Sequence, residues 1–132
     1  MYGDPTAIRR LADALGEQAA EIRTEADRLV SRTDAAGWLG EAGDALRSRV
    51  RERALALRRS AVLHDDAADA LERHAHEVER LQRLIEEMER RVQRLVEAAR
   101  DRLDDWTVGW LYRFEPPPRG SRRWLEVEVP GL

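Results

Sequence analysis

The residues with the most chemical potential lie close together: His64, Asp65, Asp66, Asp69, Glu72, His74 and His76. Imidazole nitrogens and carboxylates are the ligand types of a divalent metal site. The spacing argues against one. Two places apart on a helix, His74 and His76 point in different directions and cannot share an ion. His64 falls on an apolar seven-residue line, where a lone polar side chain more often fixes register or pairing than binds metal. The chain has no Cys, so a thiolate site or a disulfide framework is excluded. No metal and no other cofactor is expected.

Acid–base or nucleophilic catalysis has no better foothold. The 26 carboxylates and 23 basic residues nearly cancel, to a formal net charge of -3. They alternate along helix faces, as on a solvated coiled-coil exterior. No carboxylate pair is set apart for general acid–base work, no nucleophile stands beside a base, and there is no phosphate-binding loop. The expectation is a protein without catalytic residues, not an enzyme. The most basic stretch, Arg47-Ser48-Arg49-Val50-Arg51-Glu52-Arg53, reads as a solvated face. Nucleic-acid binding would need basic charge gathered on one side, so no nucleic acid is expected as a partner. Every basic residue is Arg and none is Lys; this fits the codon usage of a GC-rich genome such as an actinobacterium's. Its physical result is carboxylate pairing through a planar fork and apolar cover from long stems.

The elements that carry these residues are helices. Asp4-Pro5 is a helix start, since Asp caps well and Pro fits the first helical position. Ile8, Leu15, Ile22 and Leu29 then recur every seven residues, widened by Leu11, Ala12, Ala19 and Ala26 into the stripe of a helix that packs on another. Gly16 interrupts the outer face at a cost of roughly 1 kcal/mol against Ala. The spacing predicts a helix over 5–34, a turn over 35–40, and a second helix over 41–104. Two glycines in that turn can accept positive φ, and so short a connection makes the helices antiparallel neighbours.

Between Gly43 and Gly109 there is no Gly or Pro, and Val50, Leu57, His64, Leu71, Val78, Ile85, Val92 and Ala99 keep one heptad phase. That phase favours one unbroken helix, although Asp65-Asp66 could cap a new one. The companion line reads Ala54, Ala61, Ala68, Ala75, then Leu81, Met88, Leu95. The Ala half suits close approach of two backbones within the hairpin; the large half suits a wider contact. Outer pairs such as Glu79/Arg83, Glu86/Arg90 and Glu87/Arg91 add roughly 0.2–0.5 kcal/mol each.

At 1.5 Å per residue the helices would be about 44 Å and about 93 Å long. The shorter would leave Val78, Leu81, Leu84, Ile85, Met88, Val92, Leu95, Val96 and Leu103 without a helical partner. Leaving them wet would forfeit on the order of 13–27 kcal/mol gross. A second copy, another protein or the chain's own tail must cover them. The tail, 106–132, holds five of the seven aromatics. Trp106, Val108, Trp110, Tyr112 and Phe114 alternate with other residues, as do Leu125, Val127 and Val129 beyond Pro116-Pro117-Pro118-Arg119-Gly120-Ser121. Two alternating runs about a Pro/Gly loop suggest a β-hairpin, or else an extended strip that orders on a partner. Trp106, Trp110, Tyr112, Phe114 and Trp124 therefore join the stripe as candidate partner-binding residues. The fold class expected is all-α: an antiparallel helical hairpin or coiled coil with a long second helix, over 1–105, plus a short C-terminal extended or β-hairpin tail.

Trp38-Leu39-Gly40, followed by Glu41-Ala42-Gly43-Asp44-Ala45-Leu46, resembles the turn of the Trp-x-Gly (WXG) family. These are small helical-hairpin proteins exported by type VII secretion systems. The resemblance covers about residues 4–100. It implies two antiparallel helices, homodimers or heterodimers, and passage through the type VII machinery, with Trp38, Leu39 and Gly40 as the turn motif. Two departures stand out. The Tyr-x-x-x-Asp/Glu export signal after the second helix is missing, because Tyr112 is followed four places on by Pro116; and the second helix and tail exceed the usual length. The resemblance implies a diverged relative that travels with, or chaperones, another substrate.

Two functional expectations follow. One is an interaction protein of the type VII kind, pairing with itself, a related hairpin or an effector. The other is an intracellular coiled-coil scaffold with no secretory role. The start lacks the basic and apolar segments of a signal peptide, and no run approaches the roughly 18 apolar residues of a membrane span. Both features predict a protein made soluble in the cytoplasm, with no membrane insertion, that leaves the cell, if at all, without a cleavable leader.

Overall fold

The computed structural model describes residues 3–101, 109–110 and 113–129. Helix α1 runs over Pro5–Ala35, 31 residues, and α2 over Gly40–Asp101, 62 residues. The bend between them is thus shorter than 35–40, and Gly40 opens α2 instead of closing the turn. The helix does not break at Asp65-Asp66; the Asp65 carboxylate is held by Arg23 at 2.6 Å, a use that competes with capping a new helix. The chain divides into two compact units, Thr6–His74 and a second made of Met1–Pro5 with Ala75–Leu132. The division falls inside α2, and the tail packs with the second half of that helix.

The unit Thr6–His74 is the antiparallel hairpin. Its fully buried side chains are small: Ala12, Ala19 and Ala26 from α1, Ala54 and Ala61 from α2. A seam of methyl groups lets the two backbones close on each other, and larger residues are pushed to its margins. Three ion pairs cross it, Arg23–Asp65 at 2.6 Å, Arg58–Asp27 at 2.9 Å and Arg9–Glu72 at 3.6 Å. Each is partly exposed and is worth about 0.2–1 kcal/mol at most. They bear more on register than on stability.

The second unit is built on larger side chains. Ile85, Val92 and Trp124 are buried together, with Met88, Val96, Trp110, Phe114, Leu125, Val127 and Val129 packed around them. At its N-terminal end, Gly3 lies so close to Val78 that a Cβ there would meet Val78 Cγ1 at 2.5 Å, and its carbonyl accepts from Gln82 at 3.2 Å.

The β-hairpin expected in the tail does not form among the described residues, which contain no strand. Gly109, Trp110 and Arg113 are helical, and the Phe114 N–H donates to the Trp110 carbonyl at 2.8 Å. A spacing of four fits both periods: alternation puts Trp110 and Phe114 on one strand face, and a helix turn stacks them. They stack here, with ring centroids 4.4 Å apart and planes 15° from parallel. After the prolines, Ser121 accepts from the Arg123 N–H and caps a 3-10 helix, Arg122–Glu126, which gives way to extended backbone at Val127. The alternation of Leu125, Val127 and Val129 with Glu126 and Glu128 survives as alternating burial. One side of the strip faces α2; no second strand is needed.

Candidate functional site

At the bend, two glycines take backbone angles that L-residues rarely adopt, Gly37 at φ 62° and Gly40 at φ 82°. Between them Trp38 is 54% exposed and Leu39 91% exposed. These are not loose side chains on a loose loop. Gly43, buried in the first turns of α2, takes the Trp38 backbone against its bare Cα; a Cβ there would come within 2.7 Å of the Trp38 carbonyl oxygen. The Arg47 guanidinium donates to that same oxygen and pairs with Asp44. The bend therefore presents a fixed aromatic–aliphatic knob to solvent. The sequence reading gave Gly43 and Arg47 no part in fixing Trp38: Gly43 stood as the start of a stretch without Gly or Pro and within the resemblance, and Arg47 as part of a basic face. A second Gly five places after the Trp was the available signal.

The hairpin also has two unlike edges. At 3.6 residues per turn, a residue three after a seam Ala falls on one flank and a residue four after falls on the other. Asp65 and Arg58 are four after Ala61 and Ala54, and Arg23 is four after Ala19, so the crossing ion pairs close one edge. The other edge receives the residues three after: Leu15, Ile22 and Leu29 from α1, with Leu57, His64 and Leu71 from α2. All six are only half-buried, and Leu11 beside them is exposed. The apolar edge carries no polar closure beyond His64, whose Nδ1 lies 2.7 Å from the Ser60 carbonyl of its own helix.

The residues singled out for partner binding are placed differently. Ile85 and Val92 are buried beneath Trp124, itself 6% exposed, and Val78 is buried beside Gly3. Leu81, Met88, Leu95 and Val96 are half-buried, as are Trp110 and Phe114, while Leu84 is exposed. Leu103, Trp106 and Tyr112 lie outside the described residues. Of the three covers the stripe called for, the chain's own tail is the one in place over its centre. The hairpin edge, by contrast, stays half-open within its unit, where Leu55, Val62 and Leu63 of α2 are also exposed.

The histidines and acids near residues 64–76 do not converge. Asp65 is occupied by Arg23, Glu72 by Arg9, and His76 stands 3.7 Å from Glu79. No helix among the described residues is long and apolar enough to cross a membrane.

Residues 1–108 match a family model described as "Putative T7SS secretion signal domain". No curated protein and no solved structure matches the chain.

Proposed function

This chain belongs to the family of T7SS secretion signal domains, and on that premise we propose that it is a type VII secretion substrate recognised through its helical hairpin. It acts by binding and not by catalysis. The observation that carries this reading is the bend, where Trp38 and Leu39 are held out to solvent on a backbone locked by Gly43 and Arg47. An exposed Trp that is merely left over would not need a buried glycine and an Arg hydrogen bond to hold its main chain. The same tripeptide supports kinship with the Trp-x-Gly proteins, as a diverged relative.

The partner we infer is another helical hairpin, a second copy or a related chain, lying along the apolar edge of Leu15, Ile22, Leu57 and Leu71. Two hairpins joined there would bury both edges in a four-helix arrangement, the usual way for half-covered amphipathic helices to leave water.

In the producing cell, the protein should accumulate in the medium and disappear from it when the secretion ATPase is deleted. Trp38→Ala should abolish export while leaving helix content and melting unchanged, since the side chain is mostly in solvent. Absence from the medium of the intact producing cell would favour an intracellular scaffold instead, and export that survives both changes would overturn the type VII reading. Ile22→Asp on the apolar edge should remove association with the partner hairpin.

A further inference from the structure

The second half of α2 carries two interleaved lines at coiled-coil spacing: Val78, Ile85 and Val92, and three residues after each of them Leu81, Met88 and Leu95. In a two-helix seam these are the a and d positions. β-Branched residues at a with Leu-like residues at d select two parallel strands. The flanking positions raise no like-charge conflict in that geometry. Leu84 of one copy would face Glu89 of the other, and Arg91 would face Val96.

The group that sits on this seam is not one long helix. The strip from Trp124 to Val129, a 3-10 turn passing into extended backbone, is laid over Ile85 and Val92, with Trp110 and Phe114 packed beside it. A surface patterned for a helix is occupied by something else, and it is covered incompletely: Leu81, Met88 and Leu95 stay half-buried and Leu84 is exposed. The Trp124 indole N–H donates to the Pro118 carbonyl at 3.0 Å, six residues before it in the same C-terminal segment. The Gly120 N–H donates to the Glu89 carboxylate of α2 at 2.6 Å. Lifting the strip breaks that bond, at a part-exposed site where water can replace it, and takes the indole bond along intact.

We propose that the C-terminal strip is an intramolecular cover over a parallel coiled-coil seam, and that a second copy of this chain pairs along the second half of α2 when the strip lifts. The device is independent of the secretory reading. It uses a different surface from the hairpin edge.

Because the chain has no Cys, one introduced thiol reports pairing without ambiguity. Leu81→Cys and Leu95→Cys, each in the full-length chain, should form disulfide-linked dimers slowly under mild oxidation. Adding Trp124→Glu, or separately Leu125→Glu with Val127→Glu, lifts the cover. If the closed form outnumbers the open by about ten to one, linkage at both positions should rise about tenfold. Arg94→Cys, on the outer face, should show no such rise. The proposal is overturned if neither cover-lifting change accelerates linkage at Leu81→Cys and Leu95→Cys while circular dichroism shows the helices intact. It is equally overturned if linkage rises only when the two Cys variants are mixed, which means antiparallel pairing, or rises as much at Arg94→Cys, which means non-specific association. Loss of helix in both cover-lifted chains would overturn it as well, because the seam would then depend on the strip to exist.

Discussion

The hairpin and the second half of α2 solve one problem in two ways. In the hairpin a helix is covered by a helix, through a seam of Ala side chains that bury little area each but bring two backbones together. In the other unit a helix is covered by an irregular strip, and the contact relies on a few large side chains, Ile85, Val92 and Trp124. The first contact tolerates almost no added volume, because backbones cannot move apart locally without opening the whole seam. The second tolerates shape change but depends on one or two anchors.

The sharpest way to break this contrast is at Trp124. Trp124→Ala should cost about 3–5 kcal/mol of the stability of its unit, the range for deleting a buried aromatic, read as lost near-ultraviolet circular dichroism and an earlier melt. In the hairpin the damaging change is an addition. Ala19, fully buried, replaced by Leu should cost about 1–3 kcal/mol by overpacking, measured by urea unfolding. If Ala19→Leu were neutral and Trp124→Ala were too, the two contacts would not differ as described.

Two glycines sharpen it further, with opposite signs. Gly43→Ala gains about 1 kcal/mol of helix propensity but sets a Cβ 2.7 Å from the Trp38 carbonyl oxygen. Overpacking against backbone costs about 1–3 kcal/mol, so a net loss of about 1 kcal/mol is expected, with a shift in Trp38 fluorescence. Gly16→Ala meets nothing within 4 Å and should stabilise the hairpin by about 1 kcal/mol. The smallest effect belongs to the ion pairs. Asp65→Ala, which frees Arg23, should cost about 0.2–1 kcal/mol and fade further in high salt.

Much of this was legible in the residues alone. Heptad lines, the absence of Gly and Pro between Gly43 and Gly109, and Asp4-Pro5 at the start identify two helices and their antiparallel path, because periodicity and backbone freedom are local properties. The Ala line of α2 likewise announces a close contact before any partner is known. The Trp-x-Gly tripeptide marks the bend for the same local reason.

Which apolar surface stays open could not be read that way. Leu15 and Ile85 look equivalent on their helices, yet one lies on a half-open edge and the other under Trp124. Trp110 and Phe114, four apart, satisfy a strand and a helix equally. Burial depends on what a distant segment does, and periodicity within a segment carries no information about which segment arrives. The return of the strip onto α2 belongs to the folded chain, where residues far apart in sequence compete for the same apolar surface. The grip of Gly43 and Arg47 on the Trp38 carbonyl, by contrast, spans only nine residues and turns on backbone angles that a residue pattern does not carry.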